Sequence, residues 1–120
     1  MRECGADGIE LHTDAYAEAS LVADMNMKNA ELKRIRQAVA IARRSDNKLL
    51  INADHGLICD NVNAIAKIEG IYKLNINHAF IAGAVLVGLE QAVIMMKEAM
   101  YNVYRYIELS KNVSGNLCQW

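Results

Sequence analysis

The chain has 120 residues, of which 53% are hydrophobic and 22% are charged, a composition typical of a single soluble globular domain. Its formal net charge of -1 gives no electrostatic reason to expect nucleic acid or an anionic membrane as a partner, so small molecules are the expected ligands. No stretch reaches the roughly eighteen consecutive apolar residues of a membrane span, and the first residues lack the apolar segment of a signal peptide, so we expect a cytoplasmic protein.

The periodicity of the apolar residues predicts three strands that alternate with helices. We expect strands at residues 8–13, 48–53 and 71–77. A polar connection follows the first strand, and the expected helices cover residues 28–44, 61–70, 79–87 and 89–108. Asp60 or Asn61 can cap the second of these helices, while Gly70 and Gly88 are expected to end the second and third.

Each strand is separated from the next by too many residues for a hairpin, so the alternation predicts right-handed crossovers and a parallel sheet. Buried parallel strands are usually apolar on both faces, yet alternate positions here are polar. These positions are Glu10, His12, Asn52, Asp54, Asn75 and Asn77. We therefore expect one face of the sheet to lie against polar partners, water or substrate, as in the interior of a barrel near its catalytic mouth.

The three histidines all follow apolar strands. His12, His55 and His78 each lie where one of the predicted strands ends. Parallel strands gather their carboxyl ends on one side of the sheet, where ligands and catalytic groups bind in such folds. We therefore expect the three imidazoles to converge there. The three cysteines match no metal-binding spacing, and no metal site is predicted.

Four motifs in register carry a resemblance to a known family. They are Gly5–Thr13 (GADGIELHT), Ile51–Leu57 (INADHGL) with Asp60–Val62, Leu74–Ala79 (LNINHA), and Val87–Val93 (VGLEQAV) with Met96–Lys97. Their order and spacing resemble the carboxyl-terminal part of pyridoxine 5′-phosphate synthase. The resemblance covers nearly the whole chain up to about Met100.

That resemblance implies an α/β fold, namely the last three strand–helix units of a (β/α)8 TIM barrel, over residues 1–109. Residues 110–120 lie outside the resemblance and are expected to form a tail, in part disordered. A complete barrel of this type typically needs about 250 residues, so three units make up less than half of one. The first five strands have no counterpart in this sequence.

The resemblance also implies an activity. The family condenses 1-deoxy-D-xylulose 5-phosphate with 3-amino-2-oxopropyl phosphate in vitamin B6 biosynthesis, without a metal or an organic cofactor. By position, His55 matches the proton donor and Glu10 the carboxylate that stabilises developing charge. Gly56 matches a substrate contact, and Asn77 with His78 matches the pair that binds phosphate. His12 is expected to orient Glu10 or to occupy the barrel rim.

The chain also departs from the family pattern. Asp14, Asp54 and Asn77 stand where the family usually has glycine, and Gly83 stands where a basic residue is common. Asp54 would place a negative charge beside a doubly anionic ligand. Other catalytic and substrate-binding residues of the family belong to strands that this sequence lacks, so we expect the chain to be inactive alone.

Three hypotheses follow. The first is a carboxyl-terminal portion of the synthase that acts on phosphorylated small molecules. It would assemble as a homo-oligomer or with a missing amino-terminal half, and Tyr101, Tyr104 and Arg105 could contribute to an oligomer interface. The second is a non-catalytic half-barrel that binds phosphate or serves as an assembly partner. The third is an open doubly wound sheet, which would carry helices on both faces.

Overall fold

A computed structural model of the chain describes residues 5–45 and 48–101. Its three strands are Gly8–His12 (β1), Leu50–Asp54 (β2) and Lys73–Asn75 (β3). The helices in the described ranges are Asp14–Leu21 (α1), Met25–Ser45 (α2), Val62–Ala66 (α3), His78–Val87 (α4) and Leu89–Tyr101 (α5). None of these helices has the length and hydrophobicity needed to cross a membrane.

The strands form one open sheet in the order β1-β2-β3, and both pairings are parallel. The predicted α/β class and parallel sheet are therefore confirmed. β1 pairs with β2 from Gly8 opposite Leu50 to His12 opposite Asp54. Since both strands end at the same level, the last side chains of β1 and β2 lie side by side.

The two faces of the sheet differ in polarity and exposure. Ile51 and Ala53 are fully buried in the core, where they pack with residues of α2, α3 and α5 such as Val39, Ile65 and Met96. The opposite face, which carries Glu10, His12, Asn52 and Asp54, is exposed or half-buried. A doubly wound sheet would have helices over both faces, so this exposed polar face disfavours the third hypothesis.

The sequence predicted a polar connection between β1 and the long helix, and this was wrong: the segment folds as α1. Its buried residues are Tyr16, Ala17 and Ala19, of which two are small. Apolar periodicity detects stripes of large side chains, and α1 has no such stripe. The helix is stabilised by packing against α2 and by bonds to the loop that follows β2.

Several boundaries also differ from those predicted. α2 begins at Met25 rather than 28, because the Asp24 carboxylate accepts a hydrogen bond from the backbone N–H of Met27 at 3.0 Å. α3 ends at Ala66, so Gly70 lies in the loop beyond it, at φ +110°. Gly88 does end α4, at φ +87°. The predicted extension of α5 to residue 108, the tail 110–120, and Tyr104 with Arg105 lie outside the described residues.

Candidate functional site

The carboxyl ends of β1 and β2 bring Glu10, Asp54 and His55 together. One oxygen or nitrogen atom from each lies within 4.8 Å of the others. The Nδ1 atom of His55 is 3.2 Å from an oxygen of Asp54. Glu10 in turn accepts a hydrogen bond from the side-chain amide of Asn75 on β3, at 3.3 Å. The cluster therefore joins all three strands, and it contains both predicted catalytic residues.

The carboxyl groups of Glu10 and Asp54 are hydrogen-bonded to each other. This hydrogen bond is the main cause that raises the pKa of Glu10 above its ordinary value, and burial adds to the effect. The same bond is the main cause that lowers the pKa of Asp54, with further help from the backbone N–H of His55 and the two nearby imidazoles. Because the two pKa values are shifted in opposite directions, Glu10 is the weaker acid of the pair.

His55 is held in an unusual backbone conformation. Its φ is +84°, in the left-handed region that few residues other than glycine adopt. The Asp54 carboxylate accepts a hydrogen bond from the His55 backbone N–H at 2.7 Å. The buried Thr13 hydroxyl lies 2.6 Å from the His55 carbonyl oxygen and 2.8 Å from that of Asp54. These bonds offset the strain and fix the direction of the imidazole.

Two of the three histidines are in direct contact. The rings of His12 and His55 stack with their centroids 4.0 Å apart and an interplanar angle of 23°. His12 therefore lies against His55. His78 is the first residue of α4, and within the described residues it has no ring contact with the other two.

Gly56 follows His55 at φ +73° and lies directly over α1. A Cβ atom at this position would overlap the Cβ of Ala17. The next part of the loop is also joined to α1, because the buried Tyr16 hydroxyl donates a hydrogen bond to the backbone carbonyl of Asn61 at 2.7 Å. The Asn61 side chain closes the loop by accepting from the Ile58 N–H and donating to the Gly56 carbonyl. Helix α1 therefore packs against and supports the loop that contains His55 and Gly56.

Asn77 and His78 lie at the amino terminus of α4, a helix of 10 residues, and both are exposed. A cavity of about 450 Å³ borders them and is also lined by Ile81 and Ala82. The first N–H groups of a helix have no partner within it and, with the helix dipole, favour an anion. Gly83, at the position where a basic residue is common in the family, is buried within α4.

The cluster of Glu10, Asp54 and His55 also holds the donor types that divalent metal ions use. Carboxylate oxygen and imidazole nitrogen together suit ions such as Mn²⁺ or Zn²⁺. The sequence predicted no metal site, because its cysteines match no metal-binding spacing. Glu10 belongs to a segment distant from Asp54 and His55, so local spacing could not reveal this cluster. In the structure the three groups bond to one another.

Two residues with a role at the site were missed as site residues from the sequence. From the sequence, Asp54 was placed on the polar face of the sheet and interpreted as an added negative charge, and Thr13 was only a member of the first motif. The alternation of side chains along a strand places Asp54 on the same face as Glu10 and His12, which was a usable signal. Nothing in the sequence indicated that the Thr13 hydroxyl bonds to the backbone on either side of the Asp54–His55 peptide bond.

Comparisons with known proteins agree with the resemblance found in the motifs. Residues 1–102 match the family model described as pyridoxal phosphate biosynthesis protein PdxJ. Curated pyridoxine 5′-phosphate synthases from Alcanivorax borkumensis and a Synechococcus species are 46% and 45% identical over 102 and 104 residues. One from Prochlorococcus marinus (strain MIT 9313) is 48% identical over 101 residues.

These alignments cover 85%, 87% and 84% of this chain but only 40%, 40% and 39% of the relatives. The chain therefore spans about two fifths of the length of the curated relatives it matches. Because the family match takes in the strands, the loop after β2 and the start of α4 together, it includes every residue of the site described above. This chain belongs to the PdxJ family of pyridoxal phosphate biosynthesis proteins.

Proposed function

We propose that the chain forms the carboxyl-terminal strand–helix units of a TIM barrel that makes pyridoxine 5′-phosphate from 1-deoxy-D-xylulose 5-phosphate and 3-amino-2-oxopropyl phosphate. The single observation that carries this proposal is the convergence of Glu10 and His55 at the carboxyl ends of adjacent parallel strands. Catalytic groups in barrels of this type come from the ends of different strands on that side.

In this proposal His55 is the proton donor. Its side chain is 53% exposed and lies on the open polar face, so a substrate can reach it. Ring closure proceeds through dehydrations and proton transfers, for which an imidazole is well suited near neutral pH. Glu10 and the Asp54 carboxylate that is hydrogen-bonded to it together stabilise positive charge that develops on the substrate.

In this proposal the amino terminus of α4 binds a phosphate group of the substrate. Asn77 and His78 present exposed side chains beside the unpaired N–H groups of the first helical turn. Gly56 borders the reacting part of the substrate, since it follows His55 directly and has no side chain to block access. The proposed reaction uses no metal and no organic cofactor.

The apolar side of the structure supports completion of the barrel by strands beyond those described. β1 is hydrogen-bonded to β2 on one side, and its other edge has no strand within residues 5–45 and 48–101. Beside that edge lies a groove of about 790 Å³ lined mainly by apolar residues, among them Ile9, Leu11 and Ile41. A strand and a helix placed here would cover both the edge and the groove. We therefore propose that the described units are inactive alone.

The test is formation of pyridoxine 5′-phosphate from the two phosphorylated substrates. The purified chain is assayed alone and then with a polypeptide that supplies the five missing strands. His55→Ala should abolish product, while Lys33→Ala, an exposed change on α2, should leave the rate unchanged. Product from the chain alone would overturn the need for completion, and a mixture without product would overturn the proposed function.

The second candidate function is a non-catalytic half-barrel that binds phosphate or assembles with another chain. The exposed amino terminus of α4 favours phosphate binding, and the apolar groove beside β1 favours assembly with another chain. A mixture that forms a stable complex and binds phosphate, yet makes no product, would support this candidate over the enzyme.

A further inference from the structure

The Asp54 carboxylate contacts three neighbouring groups. It is hydrogen-bonded to the Glu10 carboxyl group, accepts a hydrogen bond from the backbone N–H of His55 at 2.7 Å, and lies 3.2 Å from His55 Nδ1. The side chain is 14% exposed, while that of His55 is 53% exposed. A half-buried carboxylate therefore contacts both the backbone and the ring of the residue that follows it.

The contact of Asp54 with Nδ1 affects which nitrogen of the His55 imidazole carries the proton. A neutral imidazole carries its proton on one nitrogen and has a lone pair on the other, and the hydrogen bond at one nitrogen decides which form is present. A carboxylate oxygen 3.2 Å from Nδ1 favours the form protonated there. Nε2 then carries the lone pair: it takes up a proton, and the imidazolium so formed donates that proton to a substrate on the open face.

The ring is also restrained on its face. The stacked His12 ring limits rotation of the His55 imidazole, while Asp54 fixes its edge. The Thr13 hydroxyl and the Asp54 carboxylate hold the backbone of His55 in its left-handed conformation. The position and rotation of this imidazole are thus both restrained by contacts with His12, Thr13 and Asp54.

We propose that Asp54 is a positioning residue for His55: it holds the imidazole in the form protonated on Nδ1 and leaves Nε2 for proton transfer. This inference rests on the proposed function only for its catalytic meaning. The placement of the proton on His55 can be measured in the chain itself. Because glycine is usual at this position in the family, the role belongs to this chain and is not carried over from the resemblance.

The first measurement is the ring ¹⁵N spectrum of the labelled chain at a pH where His55 is neutral, with the three histidines assigned from single His→Gln variants. The expected result is a proton on Nδ1 of His55. Asp54→Asn and Asp54→Gly should shift the population toward the form protonated on Nε2. Asp7→Asn makes the same charge change at an exposed position before β1 and should leave the spectrum of His55 unchanged.

A proton on Nε2 in the wild-type chain, or an unchanged spectrum in both Asp54 variants, would overturn the proposal. Backbone amide spectra of the same samples show whether each variant is folded. If Asp54→Gly unfolds, Asp54→Asn decides, because it preserves the size of the side chain.

The second measurement is the rate of the completed barrel. Asp54→Asn should lower kcat by up to about a hundredfold, the scale associated with a misplaced catalytic group, with little change in KM. Asp54→Glu should restore part of the rate. Full activity of both Asp54→Asn and Asp54→Gly would refute the catalytic role. If the wild-type mixture makes no product, the proposed function and the catalytic role both fail, while the ring spectrum still decides whether Asp54 positions His55.

Discussion

Replacing Gly56 with alanine tests whether α1 fixes the loop that carries His55. The added Cβ would overlap the Cβ of Ala17, which is 3% exposed and cannot move away into solvent. A non-glycine residue in the left-handed region costs about 1–2 kcal/mol. Overpacking of a close contact costs a further 1–3 kcal/mol or so. We therefore expect Gly56→Ala to lower the free energy of unfolding by about 2–5 kcal/mol in total.

Gly5→Ala separates the two causes, because Gly5 has a similar φ of +69° but no atom within 4 Å of the added Cβ. It should lose at most about 1–2 kcal/mol from backbone strain. The double variant Gly56→Ala with Ala17→Gly removes the overlapping methyl group. It should recover about 1–3 kcal/mol relative to the sum of the two single changes.

Urea unfolding followed by circular dichroism gives these free energies. The reasoning would be refuted if the double variant were no more stable than the sum of the single variants predicts. It would also be refuted if Gly56→Ala and Gly5→Ala lost the same free energy, since the contact with α1 would then contribute nothing.

Two other predictions use the same urea measurement. Tyr16→Phe removes the hydroxyl that donates a hydrogen bond to a backbone carbonyl in the loop after β2, so it should lower the free energy of unfolding by about 1–3 kcal/mol. The control, Tyr72→Phe, changes a side chain that is 69% exposed and should alter the free energy of unfolding by less than about 0.5 kcal/mol. Equal losses would contradict the role of the buried bond. The pKa of Glu10 is higher in the folded state than in the unfolded state, so the folded state binds the Glu10 proton more tightly. Protonated Glu10 therefore stabilises the fold below its ordinary pKa of 4.5, and this stabilisation is lost as the pH rises through the raised pKa. Glu10→Gln keeps a donor toward Asp54 at every pH, so the stability of this variant relative to the wild type should increase as the pH rises from 4.5. A constant difference would show that protonation of Glu10 does not affect stability.

The main elements of the fold followed from local sequence patterns. Apolar alternation located all three strands, and helical spacing located α2 and α3, because each pattern reflects which side chains face the core. α4 followed from an apolar run that ends at Gly88, although most of that run is not buried. Strand ends were less accurate: β3 pairs only over Lys73–Asn75, whereas the sequence predicted residues 71–77. Pairing depends on how far the neighbouring strand extends, and local periodicity contains no information about that.

The sequence predicted several residues of the candidate site, but not the contacts between them. Glu10, Gly56, Asn77 and His78 occupy the strand ends, the loop and the helix start that the motifs indicated. These placements follow from the polarity of strand ends and the resemblance of the motifs. The assigned roles of these residues stay predictions for the assays above.

The sequence by itself determined the strand–helix alternation, the polar face of the sheet and the family, because each is expressed in the order and spacing of residues. Only the tertiary structure decided that Asp54 joins Glu10 to His55, that His12 stacks on His55, and that α1 supports the loop. Each of these contacts joins segments about forty residues apart, and such contacts depend on the register between β1 and β2. The register is set by how the whole core packs, so no local stretch of sequence reveals it.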